Sequence, residues 1–213
     1  LETLHLQPSA PASRRDWLRR VTYSLTGLPA TADETRAFEH DVTPRAAETV
    51  IERLLQSPRY GEHWGRHWLD VVRYADTAGE NSDHPLPHAW RYRNWVIQAI
   101  QQDMPYDEFI RQQIAGDLLP AADSDARTRH IVATTYLQLG NTNLEEQDKR
   151  QLRMDVVDEQ LDVIGKGILG QTITCARCHD HKFDPLAQKE FYSLSAFFNN
   201  TCPSYPSPSP RDS

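Results

Sequence analysis

Apolar side chains recur every three or four positions along nearly the whole chain, and no segment shows the period-two alternation of a half-buried strand. That pattern restricts the chain to a mostly α, irregular multi-helix fold with long loops and little or no β-sheet. The spacing predicts helices over residues 16–25, 60–75, 89–100, 106–118, 127–139, 152–168 and 188–198. In the first of these, Trp17, Leu18, Val21 and Leu25 share a face, and Gly27 and Pro29 end it. Thr31-x-x-Glu34 has capping-box spacing. Thr43-Pro44 reads as a cap residue before a proline at the first helical position, followed by a stripe of Ala47, Val50, Ile51, Leu54 and Leu55. Between the helices lie an irregular loop over 76–88, an acidic gap at 120–126 and a polar stretch over 140–149. Residues 1–200 are expected to form one helical domain, and the Ser- and Pro-rich 201–213 a linker or tail.

Composition narrows the function. The chain has 213 residues, 38% hydrophobic and 25% charged, enough to bury one substantial core or two small ones. A formal net charge of -7 argues against a nucleic-acid or anionic-membrane surface, which needs clustered positive charge. No run of eighteen apolar residues is present, so no membrane-spanning helix is expected. The first residues carry neither an initiating Met nor a signal-peptide pattern, so a piece of a longer protein is expected. Three cysteines exclude a disulfide-stapled mini-domain, and Cys202 lacks an obvious partner.

The other two cysteines stand in Cys175-Ala176-Arg177-Cys178-His179, the C-x-x-C-H pattern by which c-type haem is attached. Two thiols three residues apart can each add to one haem vinyl group, and the adjacent imidazole of His179 then serves as proximal iron ligand. Zinc is a local alternative, with Cys175, Cys178, His179 and His181 as donors, although structural zinc sites draw their second ligand pair from a separate turn. A disulfide, or two reduced cysteines packed beneath a loop, needs no cofactor at all. A thioredoxin-like centre would need a βαβ context, whereas the preceding segment reads as helix.

Six strings together carry a resemblance. They are Leu25-Thr26-Gly27-Leu28-Pro29, Ser57-Pro58-Arg59-Tyr60-Gly61, His67-Trp68-Leu69-Asp70, Tyr92-Arg93-Asn94-Trp95-Val96-Ile97, Ala115-Gly116-Asp117-Leu118-Leu119, and the run from Cys175 to Pro185. In this order the chain resembles the planctomycete cytochrome-like domain of unknown function, second type, over nearly its whole length. The resemblance implies a place inside a larger exported protein, commonly after a conventional cytochrome c module, and genomic company with sulfatases and polysaccharide-degrading enzymes.

For the sixth iron position the strongest candidate is His67, on an aromatic face where Trp64 and Trp68 could wall a porphyrin; Met104 and Met154 are the sulfur alternatives. His63, four residues before His67 with Asp70 beyond, reads as a surface histidine. Asp180 or His181 is expected to handle protons or to hold His179 in orientation, and Asp184-Pro185 to cap the next helix. The loop over 76–88 gathers Asp76, Glu80, Asn81, Asp83, His84 and His88, with Arg91 and Arg93 beyond, and could receive a polar, sulfated or uronic saccharide.

The leading expectation is an extracytoplasmic electron-transfer domain with one covalent haem c, relaying electrons to a neighbouring cytochrome c module or redox partner. The alternatives are a haem-dependent oxidoreductase acting on a carbohydrate, and a non-haem glycan-binding or scaffolding module with a Cys175–Cys178 disulfide or a metal site.

Overall fold

The computed structural model describes residues 10–79 and 83–198, so Glu80, Asn81, Cys202 and the 201–213 tail lie outside the described residues. Among the described residues there are nine α-helices and no sheet, only an isolated antiparallel bridge between Thr77 and Pro85. None of these helices is long and apolar enough to cross a membrane. The chain divides into two compact units, residues 1–66 with 97–103, and residues 67–96 with 104–213.

The first unit holds α1 (Arg14–Thr26), α2 (Ala32–His40), α3 (Ala46–Leu55), the start of α4 (Pro58–Val71) and the end of α5 (Trp90–Gln101). Its core is Leu18, Phe38 and Ala46, with Trp17, Val21, Ala30 and Val50 packed around them. Trp17 stacks on Phe38 at 5.1 Å. The Thr31–Glu34 capping box forms as its spacing predicts, each side chain bonding the other residue's backbone N–H. Thr43-Pro44 does not start a helix. The Thr43 hydroxyl donates to Asp41, and α3 opens only after a turn at Arg45, with no side-chain cap. Gly61 and Gly65 bring α4 against the end of α5: a Cβ on Gly61 would lie 2.8 Å from the Ile97 carbonyl oxygen, and one on Gly65 3.0 Å from Ile97 Cγ1. His63 is half-buried rather than a surface residue, with its ring edge-on to Trp64 and closing on the backbone of Gly27.

The second unit holds the last residues of α4, most of α5, α6 (Tyr106–Ala115), α7 (Ser124–Ala133), α8 (Lys149–Ile164) and α9 (Gln188–Phe198). Three expected helices are shorter than their periodicity suggests because their last turns change pitch. Gly116–Leu118 and Thr134–Gln138 are 3-10 turns, and Gly165–Leu169 is a π turn. A polar network orders the aromatic core. The Trp68 indole N–H donates to Tyr92 Oη (3.0 Å) and Gln113 Oε1 (3.1 Å), and the Tyr92 hydroxyl donates to Gln113 Oε1 at 2.6 Å. Burial pushes the hydroxyls of Tyr92 and Tyr136 above the ordinary tyrosine range. Trp68 also stacks on Tyr136 and meets Phe109 edge-on, so this indole is committed to the core rather than free to wall a porphyrin.

Candidate functional site

The C-x-x-C-H segment forms a 3-10 turn, Ile173–Arg177, entered from α8 through its π turn and the left-handed Gly170 (φ 65°). Of the two residues between the cysteines, Ala176 faces inward and Arg177 is exposed. Ala176 is fully buried with Ile173, in a cluster completed by Val157 and Leu161 of α8 and Phe191 of α9. Arg177 pairs with Asp158 of α8, while its carbonyl accepts from Gln188 Nε2 (3.0 Å) and the Tyr192 hydroxyl (3.1 Å) of α9. With one side of the turn bound this way, Cys175, Cys178 and His179 are left on the other. All three are exposed, and both thiols are free.

His179 has a defined tautomer. Its Nδ1 lies 2.7 Å from the carbonyl oxygen of Asp180, and a carbonyl can only accept, so Nδ1 carries a proton and in the neutral ring the lone pair is on Nε2. The Asp180 carboxylate acts elsewhere, its Oδ1 accepting from Gln188 N at 2.8 Å and so tethering the start of α9. Glu190 bonds the preceding N–H of Ala187. The expected cap from Asp184 does not form, because Asp180 occupies that end of the helix.

His181 is neither a proton shuttle nor an open ligand. Its Nδ1 accepts from the N–H groups of Phe183 (3.2 Å) and Asp184 (2.8 Å), so the ring proton is on Nε2, which donates to Thr172 Oγ1 at 3.0 Å. Both nitrogens are occupied and the ring is neutral, so Asp184 Oδ2 at 3.4 Å from Nδ1 is not a charged partner. A zinc site through His181 would require dismantling the loop. Among the described residues no three His, Cys, Asp or Glu side chains gather as a metal-binding group.

The remaining candidates lie on other elements. His67 and Asp70 are exposed on α4, and Met104 and Met154 are half-buried. In the loop over 76–88, Ala78 N bonds the His84 carbonyl and Leu86 N that of Asp76, making a short hairpin. The Tyr74 hydroxyl donates to Asp76 and is pushed up to about 12, mainly by burial and then by that carboxylate. The cavity bordering this loop is walled by His88 together with Ala78, Leu86, Pro87 and Ala89, and neither Asp76 nor Asp83 lines it.

The residues that place the motif, Asp158 and Tyr192, carry no signal in the sequence, because each is an ordinary helical position. Burial holds the Asp158 carboxyl above the ordinary aspartate value despite the Arg177 guanidinium beside it. A carboxyl raised in the folded state costs stability as pH climbs from the unfolded value through the folded one. The stability of wild type relative to Asp158→Asn is therefore expected to fall as pH rises above about 4, measured by urea unfolding at a series of pH values; a flat difference would contradict it.

The described residues form an all-α domain. Over residues 1–202 the chain matches the family model PSCyt2, described as a protein of unknown function (DUF1549), and it belongs to that family. No curated protein and no solved structure matches it.

Proposed function

We propose that this domain carries haem c covalently on Cys175 and Cys178, with His179 Nε2 as proximal ligand, and that it transfers electrons. One observation carries the reading: two free thiols and an imidazole with its Nε2 lone pair available stand together on the exposed side of a turn whose other side is buried. The donor set fits the group. When bound, haem supplies one-electron redox chemistry, its potential set by axial ligation and burial. The chain's own part is positional. The Asp180 carbonyl holds the His179 ring and raises its basicity as a ligand. The Arg177–Asp158 pair and buried Ala176 keep the motif from turning inward.

An exposed attachment point suits exchange with a protein partner, such as a neighbouring cytochrome c module, better than oxidation of an enclosed carbohydrate. Covalent attachment would place the domain outside the cytoplasm. His67 is the distal candidate in this reading, tested by whether His67→Ala converts a six-coordinate spectrum to a five-coordinate one.

The test is intact mass together with a reduced-minus-oxidised visible spectrum, on protein exported alongside haem-maturation machinery. A haem-sized increment and a sharp c-type band are expected; an unmodified mass without visible absorption overturns the proposal. The exposure of both thiols favours one second reading, a glycan-binding or scaffolding module with a Cys175–Cys178 disulfide, which the same mass spectrum would show as the loss of two hydrogens.

A further inference from the structure

The first unit contains a groove of about 480 Å³ between α1 and α2, inside the range of about 300–1,000 Å³ usual for small-molecule sites. Arg15, Arg19 and Tyr23 stand one turn apart on α1 and share a face. Pro29, in the connection, and Thr35 and Arg36, on α2, complete the wall. Arg15 meets Glu39 at 3.1 Å, which fixes the register of the antiparallel pair. One turn from that contact, Arg19 comes level with Thr35 and Arg36.

Positive charge is concentrated on this helix. α1 carries four arginines and one aspartate in 13 residues, whereas the whole chain has a formal net charge of -7. Arg14 donates to the carbonyls of Phe38 (2.7 Å) and Asp41 (2.6 Å) at the end of α2, and so holds the two helices together. Arg15 is paired with Glu39, and across the groove Arg36 is paired with Asp33. Arg19 differs from all of these: it lines the groove, and among the described residues its guanidinium has neither an ion pair nor a hydrogen bond. The hydroxyl of Tyr23, on the same wall, has no partner among them either.

Charge sets the chemistry of a ligand here. With Glu39 on Arg15 and Asp33 on Arg36, one uncompensated cation faces the groove, so a single negative charge balances it and a second would meet those carboxylates. The guanidinium fork presents parallel N–H donors that match the two oxygens of a carboxylate. The Tyr23 ring, which is 45% exposed, and Pro29 offer apolar surface beside it. We propose that this groove binds a small organic carboxylate with one negative charge, its oxygens accepting from Arg19 and its apolar body lying along Tyr23 and Pro29. The site is built from the first unit alone and shares no residue with the cysteine motif, so it stands or falls separately from the haem proposal.

The whole chain, labelled with ¹⁵N, would be titrated with benzoate as probe, and with benzamide, acetate and phenyl phosphate for comparison. Benzoate is expected to shift the Arg19 Nε–H and the backbone amides of Tyr23 and Thr35 saturably. Benzamide, which lacks the charge, and acetate, which lacks the apolar body, should each bind about tenfold more weakly. Arg19→Gln should weaken benzoate about tenfold. Arg20→Gln makes the same change of charge on the same helix outside the groove, and should bind benzoate as wild type does. Both arginines are exposed and neither bonds another described residue, so both variants are expected to fold. Absence of a saturable shift at Arg19, an equal response to benzamide, equal weakening by Arg19→Gln and Arg20→Gln, or tighter binding of phenyl phosphate than of benzoate would overturn the assignment.

Discussion

Serine at both Cys175 and Cys178 is expected to return the exported protein to its polypeptide mass and abolish the reduced c-type band, while leaving the fold in place. The two halves of this expectation have different physical sources. Covalent attachment requires sulfur, because each thiol adds across a vinyl group to form a thioether, and a serine hydroxyl does not replace it. The fold is indifferent because both thiols are exposed and neither belongs to the buried cluster. Substitutions at such positions change stability by about 0.5 kcal/mol or less, which urea unfolding of the haem-free proteins can check. His179→Gly separates attachment from ligation. The mass increment should survive, the axial ligand should be lost, and added imidazole should restore the spectrum. If the double serine variant keeps its absorption, the cysteines do not hold the chromophore and the proposal fails.

The helical class and several local devices were legible in the sequence because they depend on contacts within a few residues. The Thr31–Glu34 capping box is one, and the span of α9, Gln188–Phe198, is another. Helix ends were less legible. Periodicity runs on through Gly116–Leu118, Thr134–Gln138 and Gly165–Leu169, since 3-10 and π turns place side chains close to where an α-turn would. Thr43-Pro44 failed for a different reason: the chain makes a further turn through Arg45, and α3 opens only at Ala46.

At the site, spacing showed that Trp68 faces something, but not what. The indole could equally have met a cofactor, and only tertiary contact assigns it to Tyr92 and Gln113. The same limit applies to the cysteine motif. Its residue types announce the chemistry, whereas the burial of Ala176 and the anchoring of the exposed Arg177 depend on α8 and α9, which supply Asp158, Phe191 and Tyr192 from other parts of the chain.

Phe191→Ala is the substitution expected to cost most in stability, and its effect should converge on the cysteine motif. Phe191 is 2% exposed and belongs to the cluster with Val157, Leu161, Ile173 and Ala176. Truncating a phenylalanine in such a cluster removes its burial and leaves a cavity that its neighbours only partly close, about 3–5 kcal/mol. That is a large part of the stability of an ordinary domain. Phe197→Ala, on the same helix but 73% exposed, should change stability by about 0.5 kcal/mol or less. Because Phe191 packs in the cluster that buries Ile173 and Ala176, the loss should also raise amide hydrogen exchange across residues 173–179, including Cys175 N, which bonds the Thr172 carbonyl at 3.0 Å. A loss of stability without faster exchange there would mean that the turn is held by the Arg177–Asp158 pair and the bonds to its carbonyl rather than by the apolar cluster. In that case Asp158→Ala, which leaves the cluster intact and removes the charged anchor, would loosen residues 173–179 more than Phe191→Ala does.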